Sequence, residues 1–320
     1  MTADVETSTR HRLRDNTDLA VTVLICAYTG RRWTNLVDAY ASVLAQLGPA
    51  DELLVVVDHN VRLLADARAA FGAARVLANT HATGLSGARN TGVAASRGDV
   101  IAFLDDDAVA APDWLRRLRG PFDDPAVAVV GTGVTPRWEG GQAPRWFPEE
   151  FGWVVGCGYR GLPTTRAAVR NPIGASMAVR REAFEFAGVF SERVGRVGTL
   201  PVGCEETEFC IRLARRCPQT LVVHEPSGLV DHHVPRGRQT VRYFVRRCFF
   251  EGRSKRTVAR AGGTRAGLSS ERRYVRRVLP MGVLRGLVDA ARGDLAGLAR
   301  AAAITVGLVA AVAGYATGRG

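Results

Sequence analysis

The stretch Val100-Ile101-Ala102-Phe103-Leu104-Asp105-Asp106-Asp107 decides the fold of this chain. Its first five residues are apolar and β-prone, so they predict a buried strand that ends at three aspartates. Because burying ionised carboxylates is costly, we expect these side chains in solvent or against a cation. Ligands bind at the carboxyl edge of open α/β sheets, and hard oxygen ligands there suit Mg²⁺ or Mn²⁺. Taken alone, the triplet is equally compatible with a simple acidic loop.

Short apolar runs of the same kind precede this strand. They cover residues 21–27, 53–57 and 74–77. Helical patterns stand between them, from about Trp33 to Leu47 and from about Leu63 to Phe71. Strands that alternate with helices predict βαβ units. The expected fold class is therefore α/β, with a single, mostly parallel sheet flanked by helices.

Weaker patterns follow the aspartates. A fifth strand is predicted over residues 127–130, and strand character returns at residues 221–223 and 229–230. Residues 131–172 are rich in Gly, Pro and Trp, which indicates loops over a site.

The positive charge of the chain is concentrated near its C-terminus. The 320 residues carry a net charge of +12, and the stretch from Arg236 to Arg285 holds fifteen Arg or Lys against two Glu. Such a block suits anionic lipid, nucleic acid or an acidic substrate. The six cysteines form no CxxC pair, which supports neither a zinc ribbon nor a thioredoxin-like motif. With no apolar signal region visible near Met1, we expect a reducing, cytosolic compartment.

The last part of the chain has an amphipathic and then an apolar pattern. Four apolar side chains share one helical face, with Arg285 and Asp289 opposite, as in helices at membrane interfaces. Ala301 to Thr317 is uncharged over 17 residues, at the lower edge of what can cross a bilayer. A helix packed on the globular domain would show the same pattern. The four apolar residues are Met281, Leu284, Leu287 and Val288.

Two segments suit contacts with a nucleotide. Asp58 ends the second predicted strand, where it would either cap the next helix or accept hydrogen bonds from a base. Residues 84–92 form a Gly-rich turn that opens a helix, so its amides and Arg89 could hold phosphate. This turn lacks the ending of a Walker A loop, and no GxGxxG follows the first strand, which disfavours a Rossmann dinucleotide site.

Two other segments suit catalysis and metal binding. Glu205 and Glu206 fall in the first turn of a predicted helix, either as favourable partners of its dipole or as a general base. His232 follows a late strand, where it is either a surface histidine or a metal ligand.

The order of these segments resembles that of the family 2 inverting glycosyltransferases of the glycosyltransferase A fold, over about Val21 to Val234. In that family the loop after the first strand and an aspartate after the second contact the nucleotide. A Gly-x-x-x-Ala-Arg-Asn-x-Gly segment lies against the same nucleotide. The resemblance implies that the residues binding the nucleotide sugar are Cys26, Ala27, Tyr28, Asp58, Gly87, Arg89, Asp105 and Asp106.

The same resemblance implies where the metal and the base lie. The DXD motif of the family matches Asp105 to Asp107, so Asp107 is the expected metal ligand, with Asp105 and His232 as further ligands. The Glu-Asp pair that carries the base matches Glu205-Glu206. Because glutamate replaces aspartate in this pair, both Glu206 and Glu205 are candidates for the catalytic base.

Together these expectations describe transfer of a sugar from a nucleoside-diphosphate sugar to an acceptor hydroxyl with inversion, with Mn²⁺ or Mg²⁺ as cofactor. The acceptor would be a lipid-linked sugar or a cell-envelope glycan, and no nucleic acid partner is expected. The enzyme would lie in the cytoplasm, peripherally or weakly integrally associated with the cytoplasmic face of the cell membrane through its C-terminal region. The alternatives are a nucleotidyltransferase with a similar sheet and a basic nucleic-acid-binding protein.

Four regions are expected along the chain. They are a disordered tail (1–19), a glycosyltransferase A catalytic domain (20–235), a basic helical extension (236–277) and amphipathic or apolar helices associated with a membrane (278–320).

Overall fold

A computed structural model describes residues 19–192, 204–262 and 269–318. The predicted disordered tail, residues 1–19, lies outside this description except for Leu19. The strands are β1 (Val21–Ala27), β2 (Glu52–Val57), β3 (Arg75–Ala78), β4 (Val100–Asp105), β5 (Ala108–Ala110), β6 (Val127–Trp138), β7 (Ala167–Ala168), β8 (Ser176–Arg180) and β9 (Leu221–Val234). The helices are α1 (Trp33–Leu44), α2 (Val61–Ala70), α3 (Leu85–Ala95), α4 (Trp114–Arg119), α5 (Arg181–Ala187), α6 (Glu205–Arg216), α7 (Val241–Gly262), α8 (Ser269–Arg273), α9 (Leu279–Ala291) and α10 (Ala296–Thr317).

All the described strands belong to one sheet. Its order is β3-β2-β1-β4-β8-β6-β9-β5, and β7 pairs with β9 outside this path. The first four strands are mutually parallel. The other half is mixed, because β8 runs antiparallel to both β4 and β6 while β6 and β9 are parallel. The α/β class is confirmed, and the parallel arrangement predicted from the sequence applies to the first half of the sheet.

Apolar side chains cover both faces of the sheet, which is why its central strands are continuous hydrophobic runs. On one face, Val23 and Ile25 of β1 belong to a core that includes residues of α1, α2 and α4. On the other, Leu24 of β1 and Phe103 of β4 pack in a core with residues of α3, α5 and α6. The result is a helix–sheet–helix arrangement in which the central parallel strands are apolar and their polar groups gather near the strand ends.

Several strands differ from the sequence-based expectation, and β7 and β8 were not predicted. Residues 131–138 were expected to be loop but continue β6, paired with β9, so that prediction is wrong there. The two late runs, 221–223 and 229–230, belong to one strand with a register shift against β6. The short β5 has no hydrophobic pattern long enough to predict it and exists by pairing with β9.

The C-terminal helices pack on the first of the two cores. Phe244 of α7, Leu279 of α9 and Ile304 of α10 are buried in it. The boundary expected at residue 278 falls within a continuous helical stretch, since a π-helical turn, Tyr274–Val278, leads directly into α9. The structure therefore contains the packed helix that the sequence left as one of two alternatives.

Candidate functional site

The polar groups of the first half of the sheet meet at its carboxyl edge. Parallel pairing places Cys26 of β1 opposite Asp105 of β4. On the other side of β1, the amide of Asp58 donates to the carbonyl of Ala27 at 2.8 Å. Tyr28 follows Ala27 and is exposed. Because parallel strands end at the same edge, the segments predicted to contact a nucleotide lie side by side.

Asp58 holds the loop that precedes α3. Its carboxylate accepts hydrogen bonds from the Asn79 side chain at 2.7 Å and from the backbone amide of Gly84 at 2.9 Å. Gly84 has a φ of +131°, a conformation that favours glycine. Asp58 does not cap α2, because Asn60 does so through the amide of Leu63 at 3.0 Å.

Gly87 and Arg89 lie in the first turns of α3. A methyl group at Gly87 would overlap the carbonyl oxygen of Ala82, so this position requires glycine for close backbone packing. Arg89 is buried, and its guanidinium lies over the rings of Phe103 at 5.6 Å and Phe190 at 5.7 Å. An arginine in such a position needs partners for its charge.

The partners of Arg89 come from three separate parts of the chain. Its Nη1 donates to Glu205 Oε1 at 3.1 Å, and its Nη2 donates to the carbonyl of Gly174 at 2.8 Å. Asp105 Oδ1 lies 3.6 Å from the same Nη2. Arg89 therefore connects the end of β4 to the start of α6.

Asp106 and Asp107 share the guanidinium of Arg32. Arg32 Nη1 lies 2.7 Å from Asp106 Oδ1 and 3.0 Å from Asp107 Oδ2. Burial raises the pKa of Asp106 to about 7, Asp107 adds to this rise, and Arg32 opposes it. The second oxygen of Asp106 has no hydrogen-bond partner among the described residues. The pair thus carries more negative charge than Arg32 alone neutralises.

His232 reaches the aspartates through the pairing of β9 with β5, in which it stands opposite Ala108. Its Nε2 lies 3.1 Å from Asp107 Oδ1 and 4.0 Å from Asp105 Oδ2. Burial would lower the pKa of His232, but Asp107 outweighs it and raises the value to about 10. Burial would raise the pKa of Asp107, but His232 and then Arg32 hold it well below its usual range.

The chemistry and spacing of these groups fit a divalent metal ion. One ligand atom from each of Asp105, Asp107 and His232 lies within 4.8 Å of the others. Two carboxylates and one imidazole suit a divalent ion such as Mn²⁺. Because only the neutral imidazole can ligate a metal, an ion bound here would take the place of the proton that the raised pKa leaves on His232.

Glu205 and Glu206 start α6 beside this cluster. They follow Cys204, a non-glycine residue with a φ of +83°, whose backbone strain is typical of functional sites. Glu205 is buried, and its Oε2 has no partner among the described residues, while its Oε1 is held by Arg89. Burial and then Glu205 raise the pKa of the partly exposed Glu206 to about 7.

Sequence reasoning missed several members of the site. Arg32 ends a 3-10 turn after β1, and Arg238 Nη2 lies 3.9 Å from Asp107 Oδ2. Cys157 Sγ lies 3.6 Å from His232 Nδ1 and so helps to orient the ring. The arginines had no local signal, because 43 Arg and Lys residues make any single one uninformative. Every residue predicted for the site falls on or beside this edge, although its individual role stays a prediction.

Comparison with known proteins agrees with this arrangement. The model of the family described as "Glycosyl transferase family 2" matches residues 22–187. A glucosyl-dolichyl phosphate glucuronosyltransferase of Haloferax volcanii is 33% identical over 244 residues, which is 75% of this chain and 77% of that protein. A pre-mycofactocin glycosyltransferase of Mycobacterium tuberculosis is 32% identical over 185 residues, or 58% of this chain and 37% of that protein.

A solved structure shares the fold. The mannosyltransferase PcManGT of Pyrobaculum calidifontis, in complex with GDP-Man and Mn²⁺, superposes with a TM-score of 0.60 at 17% identity. The match covers 90% of this chain and 86% of that one. The family match spans more than half of the chain and includes the aspartate triplet. It decides against the nucleotidyltransferase and nucleic-acid-binding alternatives, and the chain belongs to glycosyl transferase family 2.

Proposed function

We propose that this glycosyltransferase moves a sugar from a nucleoside-diphosphate sugar to an acceptor hydroxyl, with a divalent metal and with inversion at the anomeric carbon. The observation that carries the proposal is the convergence of two acidic groups at one sheet edge. Asp105, Asp107 and His232 lie on one side, Glu205 and Glu206 lie on the other, and Arg89 joins them. Such a site can hold a diphosphate through a cation and an attacking hydroxyl through a carboxylate.

Asp107, Asp105 and His232 are the residues that would hold the metal. Their ligand atoms are close together, and Asp107 and His232 are buried, so their orientations are defined by packing. When bound, the ion would supply positive charge to the leaving nucleoside diphosphate. Mn²⁺ accompanies GDP-Man in the structure of PcManGT, which supports a divalent ion here. The choice between Mn²⁺ and Mg²⁺ is a matter for the assay below.

Glu206 is the better candidate for the base. Glu205 is buried and its Oε1 is held by Arg89 at 3.1 Å, so this oxygen is not free to turn toward an acceptor hydroxyl. Glu206 is partly exposed, lies beside Gly174, and has its pKa raised to about 7. A base poised near the working pH combines the ionised form with a useful driving force for proton transfer. Glu205 and Arg89 are then positioning residues.

The proposed reaction is a single displacement. Glu206 takes the proton of the acceptor hydroxyl as that oxygen forms its bond to the anomeric carbon. The bond from this carbon to the diphosphate oxygen breaks on the opposite face, and the electron pair leaves with the nucleoside diphosphate. Attack opposite the leaving group inverts the configuration.

The donor nucleotide would lie along Cys26, Ala27 and Tyr28, next to Asp58. Tyr28 is exposed and offers a ring, and the carboxylate of Asp58 is already engaged by Asn79 and Gly84. Asp58 therefore supports the site by holding the loop that leads into α3. Any hydrogen bond from a nucleotide base would have to use the lone pairs of its carboxylate that Asn79 and Gly84 leave free. Gly87 contributes close packing in the same loop.

We propose a lipid-linked or envelope glycan as the acceptor and the cytoplasmic face of the membrane as the place of reaction. The name of the Haloferax volcanii relative, glucosyl-dolichyl phosphate glucuronosyltransferase, supports a lipid-linked acceptor. The apolar helix α10 and the basic C-terminal region support contact with a membrane that carries anionic lipid.

A screen of nucleoside-diphosphate sugars with Mn²⁺, with Mg²⁺ and with chelator tests the proposal. We expect metal-dependent release of nucleoside diphosphate for one donor, then transfer to a lipid-linked sugar acceptor, with the inverted anomer seen by NMR. Asp107→Ala should abolish release, whereas Asp113→Ala, which removes an exposed carboxylate paired with Arg116 and Arg117, should not. Release that survives chelation, or a product with retained configuration, would contradict the corresponding part of the mechanism.

A further inference from the structure

Helix α10 has the composition of a membrane-spanning segment. It has 22 residues, and its most apolar 18-residue window has a mean hydropathy of 1.8 and is only 22% buried. At 1.5 Å per residue it is about 33 Å long, close to the ~30 Å of a hydrocarbon core. Length and composition therefore allow α10 to cross a bilayer, and its tertiary contacts decide whether it does.

The contacts of α10 with α7 oppose crossing. A methyl group at Gly252 would overlap the carbonyl oxygen of Ala311, and one at Gly314 would overlap that of Phe249, so the two backbones touch. Helix α7 is strongly charged, with exposed side chains at Arg242, Arg246 and Arg253. Charged side chains in the hydrocarbon region are costly, so the two helices cannot enter the bilayer together.

Both ends of α10 are held on the same domain. At its C-terminal end, Arg256 Nη1 donates to the carbonyls of Tyr315 at 2.8 Å and Ala316 at 2.7 Å. At its N-terminal end, Arg300 Nη1 donates to the carbonyl of Arg145 at 3.2 Å, and Arg300 Nη2 to Asp294 at 2.8 Å. A spanning helix has its ends on opposite sides of a membrane, so crossing would break one of these sets.

Helices α9 and α10 each expose apolar side chains, and we call this set of residues the hairpin face. The two helices are joined by a close backbone contact between Gly286 and Gly297. The exposed residues that form the hairpin face are Met281, Leu284, Leu287, Val288, Val306, Val309 and Val312. The same C-terminal region carries exposed arginines whose charge is complementary to an anionic surface: Arg272, Arg273, Arg276, Arg277 and Arg292.

We propose that the hairpin face docks on one leaflet of an anionic lipid bilayer, so that α10 lies in the membrane plane and does not cross. This inference rests on the proposed membrane association and specifies its geometry. An in-plane helix buries one apolar face at the headgroup boundary and keeps the other on the protein, which is how α10 is exposed here.

In-plane docking also positions the acceptor. The inner side of the hairpin contacts a 3-10 segment, Glu149–Val155: a methyl group at Gly307 would lie 2.6 Å from the Phe151 ring. Arg285 pairs with Glu150, and the Tyr274 hydroxyl donates to the Glu150 carbonyl at 2.6 Å. This segment belongs to residues 131–172, which were expected to form loops over the site, and we assign it to the side where the acceptor enters. Docking would therefore hold that region at a fixed height above the lipid.

The first test measures on which side of the membrane each end of α10 lies. In the full chain, Arg292→Cys and Thr317→Cys place exposed thiols before and at the end of α10. The native cysteines are buried or partly buried and give the background in wild-type protein. A membrane-impermeant maleimide is added to spheroplasts and to inverted membrane vesicles from expressing cells. We expect both positions to react above background in inverted vesicles only. Reaction of the two positions from opposite sides would overturn the in-plane arrangement while leaving membrane association intact.

The second test asks what the hairpin face binds. The variant Val306→Asp/Val309→Asp/Val312→Asp should reduce flotation with vesicles of phosphatidylcholine and phosphatidylglycerol by about tenfold or more, since three apolar contacts are lost and charges are introduced. Val61→Asp, at a valine that is 84% exposed on α2, is the matched control and should float like wild type.

The remaining outcomes of the flotation test are equally decisive. Undiminished flotation of the triple variant, despite a native circular dichroism spectrum, would show that lipid binds elsewhere. If the wild type does not float, and sediments as a dimer that the triple substitution dissociates, the hairpin face is an interface with a second copy of the chain. Absence of flotation for monomeric wild type would refute membrane association itself.

Discussion

Replacing Glu206 by glutamine should abolish most turnover while stabilising the protein at alkaline pH. An amide cannot accept the proton of the acceptor hydroxyl, and loss of a general base typically costs ~10²–10⁴-fold in rate. Binding of the donor should persist, because Glu206 is not among the proposed metal ligands. In wild type, activity should fall as the pH drops below about 7, since protonation of this carboxyl, with a pKa of about 7, removes the base.

The stability effect follows from the raised pKa. Burial and then Glu205 raise the pKa of Glu206 from 4.5 to about 7 in the folded protein. The pKa of Glu206 is higher in the folded protein than in the unfolded chain, so protonation favours the folded state. This contribution to stability is complete below about pH 4.5 and is lost as the pH rises through 7. At about 1.4 kcal/mol for each pH unit between the two values, the loss is on the order of 3 kcal/mol above pH 7. Glutamine does not ionise and avoids this loss.

Urea unfolding at pH 5 and pH 8, with nucleoside-diphosphate release measured in parallel, provides the assay. The control is Glu208→Gln, the same substitution on the same helix, where the carboxylate instead pairs with Arg212 at 2.8 Å. It should keep its activity and lose at most ~1 kcal/mol of stability. Near wild-type turnover of Glu206→Gln would refute its role as base. Inactivity of Glu205→Gln alone would transfer that role to Glu205. A Glu206→Gln variant no more stable than wild type at pH 8 would refute the argument from burial.

Three further changes have defined outcomes. Asp107→Ala should abolish Mn²⁺-dependent nucleotide binding measured by calorimetry, and unchanged metal dependence would remove Asp107 from the ligand set. Arg89→Met should destabilise the fold by about 3–5 kcal/mol in urea unfolding, because it leaves Glu205 buried without its partner. The double variant Arg89→Met/Glu205→Gln should recover part of this lost stability. Strictly additive losses of the two substitutions would argue against an energetic coupling between Arg89 and Glu205. Removing residues 278–320 should lower the melting temperature, since it uncovers Phe151 and Phe244. It should also abolish flotation with vesicles at high salt, while the remaining folded protein still binds nucleotide. Equal flotation of the truncated and full-length proteins at high salt would show that the tail is no apolar anchor.

The polar edge of the sheet was predictable because its signals are local. A buried strand needs a short apolar run, and the cost of burying charge places Asp105 to Asp107 at its end, in solvent or against a cation. In the structure Asp106 and Asp107 are buried, and the cation beside them is the guanidinium of Arg32. The first turn of a helix favours acidic residues, which is why Glu205 and Glu206 could be placed at the start of α6. These inferences need only the neighbours of each residue along the chain.

The partners of these carboxylates were not predictable in the same way. His232 meets Asp107 only because β9 pairs with the three-residue strand β5, which has no pattern of its own. Arg89 pairs with Glu205 across 116 positions of sequence, and Arg32 reaches Asp106 across 74. In a chain rich in arginine, nothing local distinguishes these side chains from exposed ones.

The sequence by itself determined the α/β class, the strand that delivers the aspartates, and the amphipathic character of the C-terminal helices. Each of these is set by hydrophobic periodicity, which local geometry converts into an element with a buried face. Only the tertiary structure decided which charges neutralise one another at the site, and which side of α10 faces the domain. Those outcomes depend on contacts between segments that are distant in sequence. Close backbone packing at Gly252 and Gly314 determines how α7 and α10 lie against each other, and the cost of burying an unpaired charge determines which charged side chains meet.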